Sequence, residues 1–338
     1  MAGWVCLLAF RGRYLESSRL ASECVDLIES VGDSAMTVGL LYGPTYAKYQ
    51  AGEVVEGLRL AQRRIDLAAG DLAKGDLILG SPLALGISER GAARCCLGIS
   101  GWMEDFDNAI AMARGFDATT RVIANWFKYD TIPNGTLLAD SGALQDTAEA
   151  LQVAEQCADD FNLGLAQLTR GLVLVHRDDA NREAGFELMA SAREKAVQER
   201  FTFVALPIVD TQTAKEKARI GDLDGAIALS QAIVDGQFDT GEMIYRGPAV
   251  TVLVESLLQR GAAGDVQTAQ EVIDRLAAVP TDPGFVLHEI PLLRLRALVA
   301  RQGGDQTGCR DWVERYRATA TACGFQGHMA IAEAMTCP

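Results

Sequence analysis

The chain has 338 residues, more than one ordinary hydrophobic core accommodates, so it forms either several domains or an elongated repeat array. Hydrophobic residues make up 49% of the sequence but aromatic residues only 7%, and Ala and Leu recur throughout, which is typical of stacked helices. The net charge of −14, with basic residues scattered singly, argues against direct binding to nucleic acid, because no basic stripe is present to neutralise phosphates.

At the N-terminus, residues 4–10 form a short apolar run that lacks a preceding basic region and a small-residue cleavage site, so it is a poor signal peptide. No uninterrupted apolar segment approaches the roughly eighteen residues needed to cross a bilayer. We therefore predict a cytoplasmic protein that has no membrane partner. The apolar run also leaves no polar outer face, which predicts the tail of a longer ancestor, with a short N-terminal cap as the alternative.

A small residue recurs about every forty residues, each time where a tight turn is expected. Successive anchors are separated by 40, 49, 41, 38, 41, 43 and 40 residues. A period of this length indicates an array of repeated structural units. The eight anchors are Gly12, Gly52, Gly101, Gly142, Ala180, Gly221, Gly264 and Gly304.

Three offsets from each anchor carry a regular pattern. Five residues on, seven of the eight positions are small, and Phe106 is the exception. Eight residues on, every position is apolar, and twelve residues on, every position except Arg64 is apolar. Because these offsets differ by three and then four residues, they share one face of an α-helix that begins just after the turn. The small residue predicts that the preceding helix comes close at that point.

Apolar segments between these helices supply the first member of each pair. The sequence therefore predicts an all-α, tetratricopeptide-like superhelix of about seven to eight antiparallel helical hairpins. The array forms a single α-solenoid domain over residues 1–338, with hairpin turns near 12, 52, 101, 142, 180, 221, 264 and 304. Residues 70–91 hold an extra loop, and residues 328–335 form a short C-terminal capping helix.

Residues that could carry catalytic or metal chemistry are few and dispersed. The only histidines are His176, His288 and His328, which lie far apart without metal-ligand spacing, and the eight cysteines include no CxxC pair. Cys95 and Cys157 have no nearby histidine to activate them. We predict no cofactor, no metal site and no enzymatic activity, and the lack of a disulfide framework favours a reducing compartment.

One cluster gathers large and polar groups where other repeats carry Ala and Leu, around Trp126. First helices line the concave side of such superhelices, so this cluster is the leading candidate for a partner-binding patch, followed by residues 245–246. The alternative is that Trp126 belongs to the core and Lys128 is merely solvated. The predicted contact residues are Asn125, Trp126, Lys128, Tyr129, Tyr245 and Arg246.

Several stretches resemble the C-terminal helical-repeat region of large actinobacterial, especially mycobacterial, signalling proteins that combine an adenylate cyclase-like domain, a P-loop ATPase domain and a tetratricopeptide-like tail. These stretches are residues 10–14 (FRGRY), 79–84 (LGSPLA), 90–94 (RGAAR) and 323–335 (CGFQGHMAIAEAM). The resemblance implies a regulatory or partner-binding tail. It does not carry over ATPase activity, because this chain contains no Gly-Lys-Ser or Gly-Lys-Thr to cradle a triphosphate.

The sequence thus favours an interaction module whose concave face binds a protein segment or a small effector. Two alternatives stay open: the effector-sensing part of a transcription regulator, and an α-helical enzyme with a pocket near Trp126. The leading hypothesis assumes that each hairpin contacts only its neighbours. Contact between distant repeats would remove the open groove on which it depends.

Overall fold

The computed structural model describes residues 1–157, 159–199 and 205–337. Over these residues the chain is helical and has no β-strand, which confirms the predicted all-α class. None of the described helices combines the length and the apolarity that crossing a bilayer requires. The helices are α1 Ala2–Phe10, α2 Tyr14–Val31, α3 Ser34–Leu40, α4 Tyr42–Gln50, α5 Val54–Ala68, α6 Pro82–Cys96, α7 Trp102–Ala113, α8 Ala118–Tyr129, α9 Ser141–Gln156, α10 Asp160–Arg177, α11 Arg182–Glu199, α12 Ala205–Arg219, α13 Leu223–Thr240, α14 Arg246–Arg260, α15 Asp265–Ala277, α16 Val286–Gln302, α17 Gln306–Cys323 and α18 Gln326–Ala334.

Sixteen of these helices form eight hairpins, each made of a first helix and a second helix. The pairs are α1/α2, α4/α5, α6/α7, α8/α9, α10/α11, α12/α13, α14/α15 and α16/α17. First helices also contact one another along the array, as α4 does with α6, α6 with α8, and α14 with α16. The first helices therefore form the inner layer of an all-α repeat superhelix, and the second helices form the outer layer.

Glycine in a left-handed conformation marks most turns within the hairpins, because a side chain is strained at positive φ. Gly142 differs, since it lies inside α9 and the connection from α8 runs through residues 130–140. Ala180 lies in a short 3₁₀ turn, Asp179–Asn181. The six anchors with positive φ are Gly12, Gly52, Gly101, Gly221, Gly264 and Gly304.

Small residues five positions after the anchors lie against the first helix of the same hairpin. A Cβ atom on Gly185 of α11 would fall 2.9 Å from the backbone oxygen of Gly171 in α10. The Ser17 hydroxyl in α2 donates to the Val5 oxygen of α1 at 2.8 Å. This contact between paired helices is named the hairpin seam.

The two exceptions in the repeat pattern have structural explanations. Phe106 fits the seam because the small residue is on the partner helix, where a Cβ on Gly91 would meet the Phe106 ring at 3.0 Å. Arg64 is buried and forms an ion pair with the buried Glu89 of α6, and its Nε donates to the Val38 oxygen at 3.1 Å. A buried cation is tolerated only with such partners.

Distant hairpins touch across the inner face, which corrects the expectation that each repeat contacts only its neighbours. The Met243 amide, between α13 and α14, donates to the Gln50 oxygen at the end of α4 at 3.0 Å. The Tyr245 hydroxyl donates to the buried Asp130 carboxylate after α8, and its ring lies 6.4 Å from that of Trp126. This set of residues is named the closure contact. An open groove therefore does not run along the whole inner face.

The C-terminal helix α18 folds back over the inner face. The Gln326 and His328 amides each donate at 2.8 Å to the oxygens of Thr136 and Gly135, in the loop after α8. A glycine is needed at 327 because a Cβ there would fall 2.8 Å from the Gly135 oxygen. The observed helix begins two residues earlier than the predicted cap.

One disulfide, Cys309–Cys337, joins α17 to the segment after α18. This pair corrects the expectation that the cysteines form no disulfide, and the inference of a reducing compartment loses that support. Sequence spacing could not reveal the pair, because the two residues are 28 positions apart and meet only when α18 turns back along α17.

Candidate functional site

A cavity of about 320 Å³ opens on the inner face of the second half of the array. Its walls come from the first helices α10, α12, α14 and α16, from loop residues 132–139, and from α18. This space is named the inner cavity. Because its walls belong to hairpins far apart in the sequence, a ligand bound there would contact all of these elements at once.

Three charged side chains line the inner cavity. Arg294 of α16 forms an ion pair with Glu255 of α14, and the two side chains are 17% and 38% exposed. Lys215 of α12 has no ion pair or hydrogen bond within the described residues. Lys215 is exposed, because its side chain reaches the solvent of the cavity, but the surrounding protein atoms partly desolvate its ammonium group and so lower its pKa. The positive charge of Arg294 lowers that pKa further, while Glu255 raises it.

Two histidines also line the inner cavity, and both are uncharged at neutral pH. Burial lowers the pKa of His176 to about 3, and its Nε2 lies 2.9 Å from Oε1 of Gln212. Burial likewise lowers the pKa of His328 to about 4, and its Nδ1 lies 2.7 Å from the Tyr316 hydroxyl. Neither imidazole therefore supplies a positive charge, and Lys215 and Arg294 supply the cationic character of the cavity.

A smaller cavity of about 230 Å³ adjoins the inner cavity and is named the side cavity. The two share His176, Gln212 and Lys215 as lining residues. The side cavity adds Arg182, which forms ion pairs with Asp179 and Glu216. Lys215 thus stands where two cavities meet, and the arginine beside it already has acidic partners.

The structure brings together two of the residues predicted to contact a partner, Trp126 and Tyr245, but places them inside the closure contact. The other four make separate internal contacts. Asn125 donates to the Arg121 oxygen at 2.9 Å, and Arg246 donates to the Gln237 oxygen at 2.9 Å. The remaining contacts are a Lys128–Asp107 ion pair at 2.7 Å and a Tyr129–Asp146 hydrogen bond at 2.6 Å.

Five of the six predicted contact residues are buried, and Lys128 is half-buried. The burial of Trp126, at 3% exposure, fits the alternative that it belongs to the core. In this conformation the buried side chains present no surface to a partner, and a role for them in binding stays a prediction. Large polar groups stand out in this Ala-rich and Leu-rich array, and here Trp126 and Tyr245 join distant hairpins, while the other four residues make contacts within their own or adjacent hairpins.

The cysteines considered as nucleophiles are divided by burial. Burial raises the pKa of the Cys95 thiol, and it raises the pKa of Cys96 in the same way. Both sulfurs therefore stay protonated at neutral pH, which disfavours nucleophilic attack. Cys157 is exposed and free. Among the described residues, no group of three or more His, Cys, Asp and Glu side chains is arranged to hold a metal ion.

Sequence reasoning missed the inner cavity and the three charged residues Lys215, Glu255 and Arg294. All three lie on first helices, whose apolar segments were assigned only to packing. A charged residue on a first helix is a usable signal, because the first helices line the concave side on which solenoids hold ligands. The curvature that brings the three together is absent from the repeat pattern.

Comparison with known proteins leaves these geometric observations as the main guide to function. The resemblance to the tail of cyclase and ATPase signalling proteins stays a prediction. No protein-family model matches the chain, and no curated protein matches its sequence.

Proposed function

We propose that the chain is an effector-binding helical-repeat module that binds a small molecule in the inner cavity. One observation carries the proposal: a cavity of about 320 Å³ whose polar groups, Lys215, Glu255 and Arg294, come from three different first helices. Ligand sites are concave, largely apolar spaces with a few convergent polar groups, and they begin at roughly this size.

The size of the cavity favours a small effector over a folded protein domain. A volume of about 320 Å³ is roughly ten times the ~30 Å³ share of one liquid water molecule, so this partly open cavity accommodates a ligand of about ten non-hydrogen atoms. A protein segment could place one side chain there. The sequence favoured either a protein segment or a small effector as the ligand. Of these two, only a small effector can fit entirely within the cavity.

The position of the cavity suggests how binding would be transmitted. Its walls include α18 and loop residues 132–139, which already bond to each other through the Gln326 and His328 amides. A ligand that contacts both elements and the first helices would favour the closed arrangement over any more open one. In a larger signalling protein, such a shift would bias attached domains, and the regulatory role rests on the resemblance described above.

The test is to block the inner cavity and measure the loss of ligand-induced stabilisation. Ala330 of α18 is exposed and lines the cavity, so Ala330→Trp fills the space without disturbing buried packing. A metabolite panel is first screened for compounds that raise the melting temperature, since a ligand that binds only the folded state stabilises it. Compounds that act through the cavity should lose their effect in Ala330→Trp.

A matched control is available four residues away. Ala334 is exposed on the same helix but does not line the cavity, so Ala334→Trp should retain every stabilising compound. If no compound raises the melting temperature, or if both variants respond alike, the inner cavity is not the binding site and the proposal is wrong.

A further inference from the structure

Lys215 differs in its charge pairing from the other cations that line the two cavities. Arg294 is paired with Glu255, while Arg182 and Arg219 both pair with Glu216. Within the described parts of the chain, Lys215 has no acidic partner, although the sequence contains 45 acidic residues and only 31 Lys and Arg. Lys215 is therefore the cation at the meeting point of the two cavities that is available to an anionic ligand.

The neighbouring carboxylate does not neutralise Lys215. Glu255 lies close enough to raise the pKa of Lys215, but its oxygen accepts the hydrogen bond from Arg294. The local set of Lys215, Arg294 and Glu255 carries two positive charges against one negative charge. A partly desolvated ammonium group gains most from a direct anionic partner, so the set is short of one negative charge.

The walls beyond this charged set are mainly apolar. Leu287 and Pro291 of α16, Val252 of α14 and Ile331 of α18 all line the inner cavity. An anion that only paired with Lys215 would leave these side chains in contact with water. A ligand that also carries a hydrocarbon portion would cover them, and each buried methylene group contributes favourably to binding.

A second donor lies beside Lys215. Gln212 is buried, and the oxygen of its side-chain amide is taken by Nε2 of His176. With the imidazole donating to this oxygen, the amide NH₂ group remains a donor for an incoming acceptor. Lys215 and Gln212 line both cavities, so one anionic group could receive hydrogen bonds from the two side chains together.

We propose that the inner cavity binds a small amphipathic organic anion, with its charged head on Lys215 and Gln212 and its hydrocarbon portion against Leu287, Pro291 and Ile331. This inference rests on the proposed function, because it names the chemical class of the effector. The head is a carboxylate, a sulfate ester or a phosphate ester, all of which accept hydrogen bonds from an ammonium group.

The test uses three straight-chain probes that share one hydrocarbon chain and differ in the head group: octanoate, 1-octanol and octylamine. Octanoate has ten non-hydrogen atoms, which matches the size of ligand that the inner cavity accommodates. Dissociation constants are measured at neutral pH by ligand-observed NMR titration of the full chain. We expect octanoate to bind, octanol to bind about tenfold or more weakly, and octylamine to bind least, because a hydrogen bond between charged groups contributes that difference. Octyl sulfate and octyl phosphate then distinguish the three anionic heads.

Substitutions at position 215 assign the effect to the ammonium group. Lys215→Gln keeps a polar side chain of similar length and should weaken octanoate binding about tenfold or more while leaving octanol unchanged. Lys215→Arg should restore most of the affinity. The control is Lys217→Gln, on the same helix, because Lys217 pairs with Asp222 and lines neither cavity. Circular dichroism of each variant verifies that the fold is retained.

The pH dependence gives an independent readout. Binding should weaken as the pH rises through the lowered pKa of Lys215, before an ordinary lysine deprotonates, and this loss should be absent in Lys215→Arg. The charged and titratable groups that face Lys215 are Glu255, Arg294, Arg182 and His176, and burial lowers the pKa of His176 to about 3.

The outcomes separate this inference from the proposed function. If octanoate does not bind, or if octanoate and octanol bind equally and Lys215→Gln has no effect, the anion inference is overturned. If other compounds still stabilise the chain in a way that Ala330→Trp abolishes, the inner cavity remains a binding site for a different class of ligand. If Lys215→Gln and Lys217→Gln weaken octanoate equally, the effect is general electrostatics and the assignment to Lys215 is wrong.

Discussion

The hairpin seam and the closure contact join helices by different physical means. At the seam, Gly171 and Gly185 let two helix backbones approach so closely that a Cβ atom on Gly185 would lie 2.9 Å from the Gly171 oxygen. At the closure contact, the pairing depends on directed polar groups, namely Tyr245 on Asp130 and the Met243 amide on the Gln50 oxygen. The seam is therefore sensitive to side-chain volume, and the closure contact is sensitive to hydrogen bonding and charge.

The closure contact also contains buried polar atoms that lack a partner. Oδ1 of Asp130 and Oε1 of Gln50 are buried without a hydrogen-bond partner among the described residues. Each such atom costs about 1–3 kcal/mol relative to a satisfied one. These unpaired atoms offset part of the stability that the apolar side chains of the closure contact add, while its directed hydrogen bonds fix which hairpins meet.

The largest expected effect comes from removing the apolar support of the closure contact. Trp126→Ala should lower the free energy of unfolding by about 3–5 kcal/mol. Removal of the buried indole beside Tyr245 leaves a cavity that the surrounding helices only partly fill. Chemical denaturation monitored by circular dichroism measures the change. Trp4→Ala is the control, since Trp4 is 54% exposed and its loss should change stability by no more than about 0.5 kcal/mol. If Trp126→Ala lowers the free energy of unfolding by less than about 1 kcal/mol, the indole adds little to the core, and Trp126 remains a candidate partner-contact residue.

The second prediction concerns a buried carboxyl group beside the closure contact. Glu242 is buried, and its Oε1 accepts hydrogen bonds from the Ile244 and Tyr245 amides at 2.6 and 2.8 Å. Burial raises the pKa of Glu242 from 4.5 to about 7, so the folded state binds a proton that the unfolded state releases between these values. The contribution of Glu242 to the free energy of unfolding is fully present below pH 4.5. It is lost as the pH rises through 7, and the total loss is about 3 kcal/mol.

Glu242→Gln tests this sign, because the amide stays uncharged at every pH. The variant should become more stable relative to the wild-type chain as the pH rises from 5 to 7.5, measured as the difference in unfolding free energy. Glu56→Gln should show the opposite trend with a smaller size, since Arg59 lowers the pKa of the half-buried Glu56. A difference that does not change with pH would mean that Glu242 remains ionised in the folded state.

The same contrast explains what the sequence could and could not predict. The seam is local and periodic, so the small residues at positions such as 185, 226 and 269 indicated both the helical hairpin and the face on which its helices meet. The closure contact joins residues that are 115 positions apart in one case, Asp130 and Tyr245, and no period relates them. Its position depends on the superhelical curvature accumulated over several hairpins, which small differences in packing determine.

The candidate site was likewise predictable from the sequence only in part. The first helices that form its walls were predicted, but their convergence around Lys215, Glu255 and Arg294 was not. Phe106 and Arg64 show that exceptions in the repeat pattern carry information. Phe106 marks a seam where the large residue is on the second helix and the small residue is on the first, and Arg64 marks a buried ion pair. Reading such exceptions as sites of unusual packing would have been correct. Reading the polar cluster near Trp126 as a surface did not anticipate its burial.

The third prediction makes the smallest change of volume at a seam. Gly185→Ala should lower the free energy of unfolding by about 1–3 kcal/mol, because the new methyl group would lie 2.7 Å from Cγ2 of Val175 and 2.9 Å from the Gly171 oxygen, so the two helices must separate. This loss is expected although alanine is the better helix former. Equal or higher stability of the variant in urea denaturation would show that α10 and α11 are not in close contact at this point.

The smallest expected effect is the same substitution where no seam exists. Gly236 lies in α13, is exposed, and would place a Cβ atom with no other atom within 4 Å. Gly236→Ala should therefore raise the free energy of unfolding by about 0.5–1 kcal/mol, since alanine restricts the unfolded chain and no clash opposes it. The two glycine variants differ only in what the methyl group meets, so opposite signs in one denaturation experiment isolate the seam. If both variants stabilise the chain, helix propensity alone accounts for the effect, and small residues at the fifth position are not required for hairpin packing.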